Sequence, residues 1–183
     1  LALRGGVDTI EHGSVLDDEC IELFLQTGAT LVPTLSVMHY QMMHGDSLGL
    51  PPVFTDFARR RWDSQVSMLR RAADAGVKIA TGTDAIIDGM QYYNEVELLV
   101  DAVGLTPMDA LLAATRNGAR ALGMTGEKAG TLEPGKFADL VQLGGDPLAD
   151  IHHVRDIITV VQGGRVAALP DRTSGRGHRG HHG

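Results

Sequence analysis

The chain has 183 residues, of which 43% are hydrophobic and 21% are charged, a composition that is ordinary for a globular protein and argues against disorder throughout. The formal net charge of −7 argues against nucleic acid or anionic lipid as the main partner and favours a small molecule. The single cysteine, Cys20, excludes an internal disulfide, and no apolar run approaches the roughly 18 residues of a membrane span. These features predict a cytoplasmic protein.

The first part of the chain predicts a strand, a helix and a second strand. VDTIEHG, at 7–13, alternates apolar and polar residues as a strand does and then stops abruptly at His12. A helix follows, for which Asp17 is the predicted cap and Gly28 the predicted end. The apolar run ATLVPTL contains the next predicted strand, near 30–34.

The same order then repeats after a longer connection. The polar, methionine-rich stretch 36–54 predicts a loop, whose two histidines are interpreted as mobile lid residues without a ligand role. Thr55 is predicted to cap a helix that ends near Gly76. The third predicted strand, VKIATGTD, runs into Asp84.

Two further helices are predicted, NEVELLVDAVG and a second one that opens with Thr106 as cap and Pro107 at its first position. Strands that alternate with helices predict a parallel sheet. Beyond Gly123 the pattern changes to short strands, with a hairpin turn at Gly163 and Gly164. The predicted class is therefore α/β with a small β segment appended.

The predicted organisation has three parts. Residues 1–125 form the parallel α/β unit and residues 126–168 a segment of a small β subdomain. Residues 169–183, rich in Gly, Arg and His, lack apolar periodicity and are predicted to be disordered. A flexible tail cannot preorganise metal ligands, so its histidines are not predicted to form a specific site.

Two polar side chains follow predicted strands, His12 after the first and Asp84 after the third. In parallel α/β barrels, the catalytic groups lie where strands end and loops begin. An imidazole and a carboxylate suit a divalent ion such as Zn²⁺ and proton transfer to a metal-bound water. Spacing alone leaves the alternative open that both residues only form hydrogen bonds within loops.

Six ordered sequence blocks resemble the amidohydrolase superfamily of metal-dependent hydrolases, in the branch that contains imidazolonepropionase and prolidase-like enzymes. In chain order, the blocks are GVDTIEHG, TLVPTL, GVKIATGTDA, LTPMDALLAATRNGARALG, AGTLEPGKFADLVQLGGDPL and VVQGGRV. The resemblance covers nearly all of residues 1 to 168. It implies a (β/α)₈ TIM-type barrel, of which 1–125 would supply about strands six to eight, together with part of a β-sandwich subdomain.

The resemblance also implies roles for the two strand-end residues. His12 matches the strand-six histidine of the family and Asp84 the strand-eight aspartate, both metal ligands and catalytic residues. The other family ligands are a His-x-His after strand one, a lysine or glutamate on strand four and a histidine after strand five. They have no counterpart in the body of this chain, which implies a carboxyl-terminal fragment that is inactive alone.

The implied reaction is hydrolysis of a C–N bond, in a linear or cyclic amide of a small molecule, by water activated by one or two divalent ions, of which Zn²⁺ is the first expectation. The complete family enzyme would be a homo-oligomer. One departure concerns Tyr93, which stands where relatives usually carry a histidine, so a substrate contact is in doubt.

Two alternatives to this enzyme remain. The chain could act alone as a non-catalytic half-barrel for binding or assembly, a reading that upstream His-x-His, Lys and His ligands would exclude. A barrel enzyme of phosphate chemistry would need glycine-rich loops after the last strands, and TGTDA is too short and too acidic for that role.

Overall fold

The computed structural model describes residues 1–86 and 90–167. The predicted tail, 169–183, lies outside these described residues. Within the described ranges, the strands form two three-stranded sheets. No described helix combines the length and the apolar character that crossing a bilayer requires.

The first sheet is parallel, as the alternating pattern predicts. Its strands, in spatial order, are β1 (Thr9–Glu11), β2 (Thr30–Val32) and β3 (Lys78–Ile79). Ile10 pairs with Leu31, and Leu31 pairs with Ile79, so the three side chains form one row on the same face of the sheet. The observed strands are shorter than the predicted ones but lie within them.

Helices cover the face of the sheet that carries this row. In the described ranges, the α-helices are α1 (Asp18–Thr27), α2 (Leu35–His44), α3 (Pro52–Asp74), α4 (Tyr92–Asp101), α5 (Pro107–Leu112) and α6 (Gly118–Ala121). Phe24 of α1, Leu69 of α3 and Leu99 of α4 join the strand residues in one hydrophobic core. The core therefore fixes the sheet, and with it the loops that leave the strands.

Three predicted helix boundary residues are confirmed. The Asp17 carboxylate accepts a hydrogen bond from the N–H of Cys20 at 2.8 Å. The Thr106 hydroxyl oxygen accepts one from the N–H of Asp109 at 3.1 Å. Gly28 ends α1 in the left-handed conformation, with φ 71°. These contacts span only a few residues, which is why local sequence patterns predict them.

The stretch predicted as a mobile loop contains helix α2, so that prediction was wrong. Leu35, Ser36 and Met38 of this helix are buried. The ring of His39 lies 5.2 Å from the ring of Trp62 in α3, and burial lowers the pKa of His39. Packing against neighbouring helices therefore stabilises a segment whose own apolar pattern is weak.

The start of α3 also differs from the prediction. The helix begins at Pro52, because proline at the first position has a preorganised φ and no N–H to satisfy. Thr55 lies inside the first turn, where its hydroxyl donates to the carbonyl of Pro52 at 3.2 Å. Thr55 is buried and does not cap the helix.

The second sheet is antiparallel and lies near the end of the described chain. Its strands are β4 (Leu140–Leu143), β5 (Ile157–Gln162) and β6 (Arg165–Val166). Gly163 and Gly164 have φ 57° and 75°, as a two-residue type I′ turn requires, so the predicted hairpin is confirmed. The division of the chain into domains at 125 stays a prediction.

An open cavity of about 1090 Å³ lies between the two sheets. Thr9, Glu11 and Val32 line it from the parallel sheet, and Leu140 and Val160 line it from the antiparallel sheet. Glu11 alternates with the core-facing Ile10 of the same strand and therefore faces this cavity instead of the helix layer.

Candidate functional site

A left-handed backbone conformation marks the carboxyl side of all three parallel strands. Among the described residues, the non-glycine residues with positive φ are His12 at 66°, Thr34 at 50° and Asp84 at 49°. They follow β1, β2 and β3, respectively. Such conformations cost about 1–3 kcal/mol each and cluster at active sites. The carboxyl edge of the sheet is therefore the candidate site.

His12 is held at this edge by its backbone and by one ring nitrogen. Its N–H donates to the carbonyl of Val32 at 2.8 Å, and its Nδ1 lies 2.7 Å from Oγ1 of Thr34. The next residue, Gly13, has φ 55°, and a Cβ there would lie 2.6 Å from Leu31 Cδ1, so a larger residue would be strained and would displace Leu31. The ring is exposed, and this geometry leaves Nε2 available for a ligand.

Gln65 of α3 contacts the loops that follow β1 and β2. Its side chain is buried, and its Nε2 donates to the carbonyl of Pro33 at 3.3 Å and approaches the carbonyl of His12 at 3.5 Å. One amide group therefore links the loop after β1 to the loop after β2.

Glu95 of α4 reaches the loop after β2 from the other side. It is fully buried, and its carboxylate accepts hydrogen bonds from the N–H of Leu35 at 2.9 Å, the N–H of Ser36 at 2.7 Å and the Ser36 hydroxyl at 2.6 Å. Burial raises the pKa of Glu95 to about 7, and these hydrogen bonds oppose the rise. A carboxylate at the amino terminus of α2 also complements the helix dipole.

Asp84 lies beyond β3 and is exposed. Its carbonyl accepts a hydrogen bond from the N–H of Ile86 at 2.8 Å, which closes a tight turn. Within residues 1–86 and 90–167, no group of three or more His, Cys, Asp or Glu side chains is arranged to hold a metal ion. His12 and Asp84 are therefore two donors of suitable chemistry, and their metal-binding role stays a prediction.

The sequence pattern predicted the position of His12 and Asp84 after parallel strands, but it missed the residues that hold this edge. Thr34, Gln65 and Glu95 were not singled out. A usable signal exists for Glu95, which shares the helix face of Leu99 and is a charged residue on a face that packs into the core.

Among the described residues, no polar contact connects Tyr93 to the candidate site. Its ring lies 5.5 Å below the guanidinium of Arg155, beside the ring of Tyr92 at 5.8 Å. Arg155 also pairs with the buried Glu97 of α4. Tyr93 therefore takes part in the contact between α4 and the 3₁₀ turn Ile151–Arg155.

Residues 1–167 match the model of the amidohydrolase family, and the chain belongs to this family. The predicted resemblance is thus confirmed. Among curated proteins, ochratoxinase of Aspergillus niger is 33% identical over 153 residues, which cover 82% of this chain and 31% of that protein. Imidazolonepropionase of Geobacillus kaustophilus is 38% identical over 104 residues, which cover 53% of this chain and 24% of that protein.

The chain is also similar to solved structures. A Xaa-Pro dipeptidase with methionine in its active site superposes with a TM-score of 0.80 at 31% identity, over 91% of this chain and 41% of that chain. The A. niger ochratoxinase structure has a TM-score of 0.81 at 31% identity, over 93% of this chain and 39% of that chain. The chain therefore spans well under half the length of these relatives.

Proposed function

We propose that this chain forms the carboxyl-terminal part of a metal-dependent amidohydrolase that hydrolyses a C–N bond, amide or cyclic amide, in a small molecule. In this proposal, β1, β2 and β3 are strands six, seven and eight of a (β/α)₈ barrel, and β4 to β6 belong to its β-sandwich subdomain. The complete protein is then the barrel that contains this chain. The relatives support the reaction class, because their names describe an ochratoxinase and a dipeptidase.

One observation carries the proposal. In a chain that matches an amidohydrolase over residues 1–167, an imidazole and a carboxylate stand in left-handed conformations beyond the carboxyl ends of two parallel strands. Barrel enzymes place their catalytic groups at this end of the strands. Positive φ at non-glycine residues is a strained conformation that clusters at functional sites.

The donor groups present, an imidazole and a carboxylate, are groups that bind a divalent metal ion. Nε2 of His12 and the carboxylate of Asp84 would hold it, and since a catalytic Zn²⁺ takes three protein ligands, at least one more ligand must come from outside the described residues. When bound, the ion lowers the pKa of water so that hydroxide is available near neutral pH. One ion or two are both compatible with these donors.

The chain's own residues have distinct tasks in this proposal. Asp84 accepts a proton from the attacking water and returns it to the leaving nitrogen. Nδ1 of His12 lies 2.7 Å from Oγ1 of Thr34, and in the tautomer that carries its proton on Nδ1, Nε2 can act as a ligand or as a hydrogen-bond acceptor. Gln65 and Glu95 keep the two loops in place.

Metal removal tests this proposal directly. The complete protein should lose hydrolysis of N-acylated amino acids and of proline-containing dipeptides after treatment with a chelator, and Zn²⁺ should restore it. Turnover and metal content by mass spectrometry are measured together. Full activity in a metal-free preparation would contradict the proposal.

His12→Ala in the complete protein should lower turnover, and it should also lower the metal content if two ions are bound. The matched control is His152→Ala, since His152 is an exposed histidine whose ring bonds to Asp150 at 2.9 Å, on the 3₁₀ turn. The control should keep both quantities. Unchanged turnover and metal content in His12→Ala would refute the assigned role.

The buried Glu95 predicts a pH dependence of stability. Because its folded-state pKa of about 7 is raised above the ordinary 4.5, the group favours folding while it is protonated. Its contribution is complete below the unfolded pKa and is lost as the pH rises through 7, by an amount on the order of 3 kcal/mol. The free energy of unfolding of the complete protein should therefore fall more steeply from pH 5 to 8 than that of Glu95→Gln. Parallel curves would contradict this expectation.

A further inference from the structure

The amino terminus of helix α2 contacts a buried carboxyl group that comes from another helix, Glu95 of α4. Both carboxylate oxygens of Glu95 are used, one by the N–H of Leu35 and the other by the N–H and the hydroxyl of Ser36. The two residues lie 60 and 59 positions away along the chain. A glutamine side chain cannot replace this arrangement, because its NH₂ group cannot accept a hydrogen bond from a backbone N–H.

The residue just before this helix terminus is the left-handed Thr34. A β-branched residue at φ 50° and ψ 45° is unfavourable and persists only where its surroundings impose the conformation. On one side of Thr34, Gln65 holds the carbonyl of Pro33, and on the other side Glu95 holds the two following N–H groups. Thr34 is itself buried, so the backbone at this position is held from both directions.

The side chain of Thr34 transfers this constraint to the candidate site. Its Oγ1 lies 2.7 Å from Nδ1 of His12, whose ring is otherwise exposed. The orientation of a hydroxyl depends on the backbone that carries it, so a shift of Thr34 out of the left-handed region would remove the partner of Nδ1. Partners of this kind fix both the tautomer and the direction of a histidine ring.

We infer that Glu95 is a positioning residue, which acts through the amino terminus of α2 and the left-handed Thr34 to set the tautomer and orientation of the His12 ring. This inference deepens the proposed function and rests on it for the role of His12. Glu95 does not touch the substrate or the reacting atoms in this scheme. Its effect belongs to turnover more than to substrate binding.

Glu97 offers a matched control for the experiment. It is a second buried glutamate on α4, two positions from Glu95, but its carboxylate pairs with Arg155 on the far side of the helix. Glu95→Gln and Glu97→Gln therefore both neutralise a buried carboxylate of the same helix. Only the first change reaches Thr34.

The test is nitrogen NMR of the histidine rings in the complete protein, without added metal, with His12→Ala used to identify the His12 signals. Glu95→Gln should shift the His12 ring nitrogens from a single hydrogen-bonded tautomer to the mixture of a free imidazole, and Glu97→Gln should leave them in place. In the active protein, Glu95→Gln should lower kcat about 10- to 100-fold with little change in KM. Equal loss of thermal stability in both variants with unchanged His12 signals would overturn the inference.

A second pair of variants tests the last contact, in case Glu95→Gln does not fold. Thr34→Ser keeps the hydroxyl and should keep the His12 tautomer, whereas Thr34→Ala should lose it. An unchanged tautomer in Thr34→Ala would overturn the inference. The NMR comparison observes the His12 ring directly, so it tests the inference even if the wild-type protein hydrolyses no amide. An absence of amide hydrolysis would refute the proposed function instead.

Discussion

Asp84→Asn in the complete protein is expected to lower kcat about 10²- to 10⁴-fold while the fold is retained. An amide cannot take the proton of the attacking water and is a poorer metal ligand than a carboxylate, so both proposed tasks of Asp84 fail together. The fold should survive because the side chain is exposed and lies beyond the end of β3. The measurements are kcat, KM, metal content and the thermal unfolding curve.

The control for this substitution is Asp74→Asn. Asp74 is also an exposed aspartate, but it is the last residue of α3, which leads into the amino-terminal end of β3. The two aspartates therefore lie beyond opposite ends of β3. Asp74→Asn should leave kcat unchanged, and an Asp84→Asn variant with comparable turnover would contradict the assigned role.

The second large effect concerns the chain on its own, which is expected to self-associate instead of forming a stable monomer. Within the described residues, β1 and β3 each pair with β2 on one side only. The cavity between this sheet and the antiparallel sheet is open to solvent. Leaving about 400 Å² of apolar surface uncovered loses on the order of 10 kcal/mol, comparable with the whole stability of a domain, ~5–15 kcal/mol.

Urea unfolding and sedimentation of residues 1–168 would measure this behaviour. Aggregation or concentration-dependent association, without hydrolysis and without stoichiometric metal, is the expected result, because two protein ligands are too few for a catalytic zinc. Co-expression with the preceding strands of the barrel should convert the chain into a soluble complex. A monomer with a cooperative transition and tightly bound metal would refute the half-barrel proposal.

Short-range patterns predicted several local features of the fold correctly. After the strand in VDTIEHG, His12 and Gly13 are two consecutive left-handed residues, and the glycine makes this turn visible in the sequence. The caps Asp17 and Thr106 reach backbone groups only three residues away. The Gly163 and Gly164 hairpin is equally local. The homo-oligomer and the cytoplasmic location stay predictions.

Long-range contacts decided the parts that the patterns missed. Helix α2 lacks a strong apolar stripe, and its amino terminus is satisfied by Glu95, some 60 residues further along the chain. The first turn of α3 depends on Pro52 and on the burial of Thr55. No window of neighbouring residues contains such contacts, so composition and periodicity alone predicted a loop.

By itself, the sequence determined the order of the three strands and that His12 and Asp84 follow the first and the third, because strand alternation and turn chemistry act between neighbours along the chain. The tertiary structure alone decided how His12 is held, through Thr34, Gln65 and Glu95. The physical reason is burial. A carboxylate and an amide become strong constraints only where helices exclude water and leave backbone groups as their sole partners.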